Sequence, residues 1–345
     1  MREIVIVVDD LYLPRAAEAE ASAPAAGFAA VPGIESAGRF GERARLPRGW
    51  REWLVCHVGR PDLAGLAPAC VAAAPHAQGG QGFSASWIAT PVHLSAGLTR
   101  VHLDHRGLLR LAPAEQAALA ADFRRTFASA DLSLLPLPSG DFLLETCGIA
   151  PVATTEPARC AGGDVAPCLP QGPAAAPLRR LTGEIEMWLH AQALNEARVQ
   201  RGEPPVNALW LWGAAGRRPP PAPAAPEEPG PAFGTDAWLA GLWHLLGSAC
   251  RPLPERLEDV LAQEGAQRAV LVTEAGGEVQ RVNESSVAQA VARLDARFVS
   301  PALRALRRGE LASVTLIVND TRATLRRGSR LRLWRRPRAG LGSFA

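Results

Sequence analysis

Residues 4–8 read Ile-Val-Ile-Val-Val, an unbroken apolar, mostly β-branched run with no polar alternation. Such a run predicts a strand buried on both faces, the kind found in parallel sheets covered by helices. Asp9 and Asp10 follow directly, at the C-terminal strand end from which open α/β sheets present ligand-binding and catalytic groups. Strand and helix patterns then alternate along the chain. Strands are expected at 98–103, 142–145, 207–212, 269–273 and 314–318. A helix is expected from Pro113, with Glu115 in its first turn and Ala118, Leu119, Phe123 and Phe127 at helical spacing. Residues 179–201 carry the strongest helical pattern, through Leu181, Ile185, Trp188, Leu189 and Leu194, and Gly202-Glu203-Pro204-Pro205 stops it. Further helices are expected at 236–246 and 284–308, the second broken near Pro301. The alternation predicts an α/β protein.

Gly 32 and Pro 30 in 345 residues exceed the usual share, which implies long loops in a globular chain. Two stand out: an irregular loop at 147–178 and a Pro-rich, flexible surface loop at 216–231. A strand pair rich in arginine is expected over 321–338, turned at Gly328-Ser329. The opening apolar run is too short for a signal-peptide core, and no stretch approaches the ~18 apolar residues of a membrane span. The expectation is a cytoplasmic protein with no membrane partner.

All 37 basic side chains are arginine. A Schiff-base lysine, a phosphate-loop lysine and a lysine general base are therefore excluded. The net charge of +3 is too small for the whole molecule to act as a polyanion binder. The six cysteines are spread without a CxxC pair or a compact disulfide framework. Cys147, Cys160 and Cys168 fit no standard zinc spacing. His93, His102 and His105 with Asp104 form a histidine-rich patch, readable as a metal or acid/base site or as an exposed strand end. The C-terminal arginines, among them Arg322, Arg326, Arg330 and Arg332, read as a solvated sheet edge or as a weak phosphate-backbone contact with nucleic acid.

The most specific pattern is His190-x4-Asn195-x2-Arg198-x3-Gly202-x-Pro204-Pro205-x-Asn207-x4-Trp212-Gly213. Asn195, Arg198 and Arg201 share one helix face, and a guanidinium beside an amide suits a phosphate or carboxylate. The competing reading is a solvated helix face ending at an ordinary proline stop, with His190 half-buried.

This segment, LHAQALNEARVQRGEPPVNALWLWGAAG, resembles the His-Pro-x-Asn-x-x-Arg-x-x-x-Gly-x-Pro-x-Asn signature of archaeal-type, cofactor-independent phosphoglycerate mutases. It is more similar still to the RpfE-type regulatory proteins related to them. MREIVIVVDDLYLP, ATPVHLSAGLTRVHLD, GGDVAPCLPQG and RRLTGEIEMWLH support the likeness over residues 1 to about 216. The resemblance implies one mutase-like unit over 1–345. Its fold would be an alkaline-phosphatase-like α/β core sheet flanked by helices, with an inserted smaller α/β substrate-type domain. It implies that Asp9 or Asp10 matches the N-terminal metal-binding aspartate, and that Asn195, Arg198 and Asn207, with His190, match the substrate-binding motif. A divalent metal (Mg, Mn or Zn) is implied only where the mutase site is retained. Pro32-Gly33-Ile34-Glu35 echoes the segment before the first core helix, but Ser36 is the nearest hydroxyl and no nucleophile can be placed. The departures are large: His190-Ala191 replaces His-Pro, and the last histidine is His244. Only scattered acids such as Asp259, Asp295 and Asp320 follow it. The resemblance thus implies a regulatory, non-catalytic protein that binds a small phosphorylated or carboxylate ligand. The alternative is an active metal-dependent mutase or phosphatase.

Overall fold

The computed structural model describes residues 2–11, 31–76, 84–128, 130–216, 229–263, 267–276 and 287–329. The chain divides into two compact units, one of residues 1–64, 222–239 and 246–345, the other of 65–221 with 240–245. The first unit opens with β1 (Glu3–Val8), α1 (Pro32–Phe40), β2 (Glu42–Arg45) and α2 (Gly49–His57). The second contains α3 (Pro68–Ala72), β3 (Ala85–Ala96), β4 (Val101–Leu108), α4 (Pro113–Thr126), β5 (Leu132–Pro136), β6 (Phe142–Thr146), β7 (Gly163–Asp164), α5 (Ala176–His190), α6 (Ala193–Gln200) and β8 (Ala208–Ala215). Then follow β9 (Ala232–Phe233), α7 (Ala237–Leu245), β10 (Cys250–Arg251), α8 (Leu257–Leu261), β11 (Arg268–Thr273), α9 (Val287–Leu294), α10 (Ser300–Arg308), β12 (Ser313–Val318) and β13 (Thr321–Arg326). The fold is mixed α/β, with two sheets flanked by helices and the second unit inserted into the first.

The first unit's seven-stranded sheet runs β10-β9-β11-β1-β12-β13-β2. β1 lies parallel between β11 and β12, with Val8 level with Thr273 and Val318. That central place explains the unbroken apolar run, because both faces of β1 are covered. Ile4, Ile6 and Val8 enter a core with Ile34, Val291, Leu294, Phe298 and Leu306, and each fully buried aliphatic side chain contributes about 1.5–3 kcal/mol.

The second unit's six-stranded sheet is organised on β3, which pairs antiparallel with β4, β6 and β8. β3 was not foreseen from sequence, because Pro91 in its middle argues against a central strand. Here Pro91 still offers its carbonyl to Leu109 N at 3.0 Å. The strand expected at 98–103 is instead β4, which begins at Val101 and runs through Asp104 to Leu108.

The helix expected over 179–201 is two helices. α5 ends at His190, and Gln192 is extended before α6. Side chains satisfy the last carbonyls of α5: Asn195 Nδ2 donates to Leu189 O at 2.9 Å and Gln192 Nε2 to Trp188 O at 3.3 Å. The break expected at Pro301 lies earlier, as a π-turn over Asp295–Val299, and α10 continues through Pro301. β13 turns back at Asn319-Asp320 and pairs with β12, Asn319 taking a left-handed φ of 53°. The expected partner strand beyond Gly328-Ser329 falls outside the described residues, as does most of the 216–231 loop. The 147–178 loop holds three short 3-10 turns and β7, and its end from Ala176 is already helix. Cys160 and Cys168, read from sequence as loop cysteines outside any compact disulfide framework, form a disulfide. Among the described residues, no helix is long and apolar enough to cross a membrane.

Candidate functional site

The parallel register of β9, β11, β1 and β12 brings the ends of these strands to one sheet edge. Asp9 is buried there, 4% exposed. Its Oδ1 accepts the indole N–H of Trp50, and its Oδ2 accepts from Arg51 Nη2 at 2.9 Å. The same Nη2 lies 3.5 Å from Asp236 Oδ2. One guanidinium therefore serves two buried carboxylates. It also lies over the Trp50 ring, 4.6 Å from the centroid, and 6.0 Å from that of Trp238. The two indoles meet edge to face at 5.2 Å. α2 delivers Trp50 and Arg51 as neighbours in its first turn, while Asp236 caps α7 by accepting Leu239 N–H at 2.7 Å. Close by, burial and then the Asp236 charge push the Cys250 thiol up to about 12.

Asp10 has a different task. Its two oxygens accept the backbone N–H groups of Ala275 at 2.5 Å and Gly276 at 2.6 Å. A side chain on Gly276 would come within 2.8 Å of Asp10 Oδ2, so glycine is what allows the approach. The N-terminus of α1 is closed as well: Asp295, from the π-turn, accepts Gly33 N–H at 3.2 Å and Ile34 N–H at 2.7 Å. Ser300 Oγ donates to the same carboxylate at 2.8 Å. These amides form the anion-binding end of the helix, and a protein carboxylate already occupies it. Ser36 sits half-buried one turn later.

Among the described residues, this edge does not fit a divalent metal. Magnesium or manganese needs several oxygens converging on one point. All four oxygens of Asp9 and Asp10 already accept N–H groups. Near a protein surface two unit charges 4 Å apart interact by about 4 kcal/mol, so a dication beside Arg51 would meet roughly twice that repulsion. Among the described residues, no group of three or more His, Cys, Asp and Glu side chains is placed to hold a metal.

In the second unit, the structure brings Asn195, Arg198 and Asn207 together around the Pro204-Pro205 turn. Asn195 donates to Val206 O at 2.9 Å and accepts Val206 N–H at 2.8 Å. Asn207 pairs with Leu94 like one more strand residue, through two bonds of 2.8 Å. Arg198 is 4% exposed. It donates Nε to Pro204 O at 2.9 Å, and Nη1 to both oxygens of Glu115 at 3.1 and 2.9 Å. Arg201 Nη2 joins the same carboxylate at 2.7 Å and reaches Glu203 at 2.8 Å. Two arginines thus face two glutamates, so the network presents no net positive charge to an anion. His190 is exposed at the end of α5. In the histidine patch, His93 Nδ1 lies 2.9 Å from Pro205 O, whereas His102 and Asp104 are exposed; the His105 side chain is outside the described residues.

Sequence reasoning missed Arg51, Trp50 and Asp236 as parts of one constellation. The available signals were a tryptophan-arginine pair at a helix start and an aspartate at a helix N-cap position.

No protein-family model matches the chain, and no curated protein matches it. Among solved structures it is similar to the cofactor-independent phosphoglycerate mutase from Thermoplasma acidophilum DSM 1728. That likeness has 15% identity and a TM-score of 0.37, over 95% of this chain and 90% of that one. It is also similar to the PH0037 protein from Pyrococcus horikoshii, at 13% identity and a TM-score of 0.47, over 94% of this chain and 87% of that one.

Proposed function

We propose that this chain is a non-catalytic regulatory protein on a phosphoglycerate-mutase-like scaffold, binding a small phosphorylated or carboxylated ligand. The observation that carries the reading is the Arg51 guanidinium shared by Asp9 and Asp236. It supplies the positive charge that a metal would otherwise bring to these carboxylates. Asp10 and Asp295 support the same conclusion, because each holds backbone amides rather than facing an open site. The regulatory part of the reading rests on the resemblance of residues 190–213 to RpfE-type proteins. On this reading Asn195, Arg198 and Asn207 keep their family positions as a clamp that shapes the second unit. The ligand-binding part rests on the same resemblance.

Phosphorus NMR of the protein with 3-phosphoglycerate and Mg²⁺ tests the proposal. A perturbed substrate resonance with no new species over hours is the expected result. Growth of 2-phosphoglycerate or free phosphate, abolished by EDTA, would establish the active mutase or phosphatase instead. An unperturbed spectrum would remove phosphoglycerate as the ligand.

A further inference from the structure

We propose that the Cys160–Cys168 disulfide is a reversible redox latch, which holds β7 on the outer edge of β4 when oxidised and releases it when a dithiol reduces the bond. Of the six cysteines, Cys56, Cys70, Cys147 and Cys250 stay as thiols, so one pair is set apart from the rest. The two partners are eight residues apart, and β7 lies between them. β7 ends the second unit's sheet and pairs with β4 alone among the described strands. Asp164 stands opposite His102 and Gly163 opposite Leu103. Gly162 N–H donates to Leu103 O at 2.7 Å, and Val165 N–H to Val101 O at 3.0 Å. The nearest ion pair, Arg100 to Asp164 at 3.8 Å, has its arginine 67% exposed and adds little. Two residues fall short of the usual strand of about 3–10 residues. The ladder alone therefore holds β7 weakly, and the cross-link supplies the rest by confining the loop.

The rest of the sheet does not depend on this strand, because β4 is also paired with β3 on its inner side. Opening can therefore stay local. Cys160 is buried and Cys168 half-buried, so a thiolate reaches the pair from the Cys168 side. It attacks Cys168 Sγ, the S–S bond breaks, and Cys160 leaves as a thiolate that takes up a proton. The second thiol of the reductant then resolves the mixed disulfide. Cys168 is freed as a thiol, and the dithiol ends as its own disulfide, two electrons having passed to the protein. With β7 released, the carbonyls of Val101 and Leu103 lose their donors and β4 becomes an open sheet edge. Val165 is buried, and its apolar side chain draws the loop back when the bond forms again. The latch lies within the second unit, so it stands whether or not the chain binds a phosphorylated or carboxylated ligand.

The test is hydrogen exchange of the full-length protein, read by mass spectrometry before and after treatment with dithiothreitol. In the reduced protein the peptide that carries Gly162 and Val165 is expected to exchange at least about tenfold faster. Peptides from β6 and β8 keep their rates, and glutathione disulfide restores the slow exchange. Cys160→Ser combined with Cys168→Ser is expected to show the fast pattern without reductant. The proposal is overturned if exchange is the same in both redox states, or if the bond resists dithiothreitol in the folded protein. Loss of protection throughout the second unit would also overturn it, by showing a bond needed for the fold. So would failure of the pair to form again with glutathione disulfide.

Discussion

Replacing Glu115 with alanine should leave Arg198 as a buried charge without its principal counterion. The arginine side chain is 5% exposed and the glutamate 14%. Breaking a buried pair by removing one partner costs about 3–5 kcal/mol. Glu203 lies 3.5 Å from Arg198 and is 41% exposed, so it retains part of the countercharge and favours the low end of that range. The bond from half-exposed Arg201 is screened by solvent and adds little. Glu115 also holds Ala112 N–H at 3.0 Å at the start of α4, worth about another 0.5–1 kcal/mol. The expected loss for Glu115→Ala is about 4 kcal/mol in the unfolding of the second unit. Urea denaturation followed by tryptophan fluorescence reads it, with Trp188 packed 5.3 Å from Phe123 of α4 as a local reporter. Glu115→Ala combined with Arg198→Met removes both charges and should recover about 2 kcal/mol relative to the sum of the singles. A Glu115→Ala variant within about 0.5 kcal/mol of wild type would refute the clamp. So would strict additivity of the two changes.

Two further predictions concern titration. Hydrogen bonds from Trp188 and Gln192 hold the Asp122 carboxyl below the ordinary carboxylate range. Its contribution is therefore complete above the unfolded value of about 3.9 and is lost as pH falls through the lower folded value. The Trp188 indole N–H resonance should titrate with a midpoint below 3.9, and a midpoint at or above it would contradict this. At pH 8, Cys250, with its thiol pushed up to about 12, should react with iodoacetamide at least about a thousandfold more slowly than an ordinary exposed thiol. Mass-spectrometric comparison with exposed Cys56 checks it, and equal labelling would show the thiol to be accessible.

The α/β architecture was readable because β1, β11 and β12 are buried parallel strands, whose apolar runs need no partner information to recognise. β3 was hidden by Pro91, whose missing N–H is harmless only because of pairings that no local pattern reveals. The helix break at Ala191-Gln192 was invisible because side chains four and six residues away satisfy the last carbonyls of α5. For the site, Asp9 and Asp10 were found from their position after β1, but their partners were not. Arg51 is 42 residues from Asp9, and Asp236 is 185 from Arg51, and sequence spacing carries no trace of such a junction. Asn195 and Arg198 were singled out by a shared helix face, and together with Asn207 by resemblance. The part Arg198 plays in the clamp depends on Glu115, which a sequence reading sees only as a favourable first-turn acid.

On the proposed reading, Arg51 takes the place of a metal between Asp9 and Asp236. Electron paramagnetic resonance of Mn²⁺ titrated into the purified protein measures this most directly, because free aqueous Mn²⁺ gives the full signal and bound ion a broadened one. The free signal should rise in proportion to added Mn²⁺ from the first equivalent. Loss of one equivalent of signal per chain would show a tight divalent site, and would mean that Arg51 moves aside for a working metal centre.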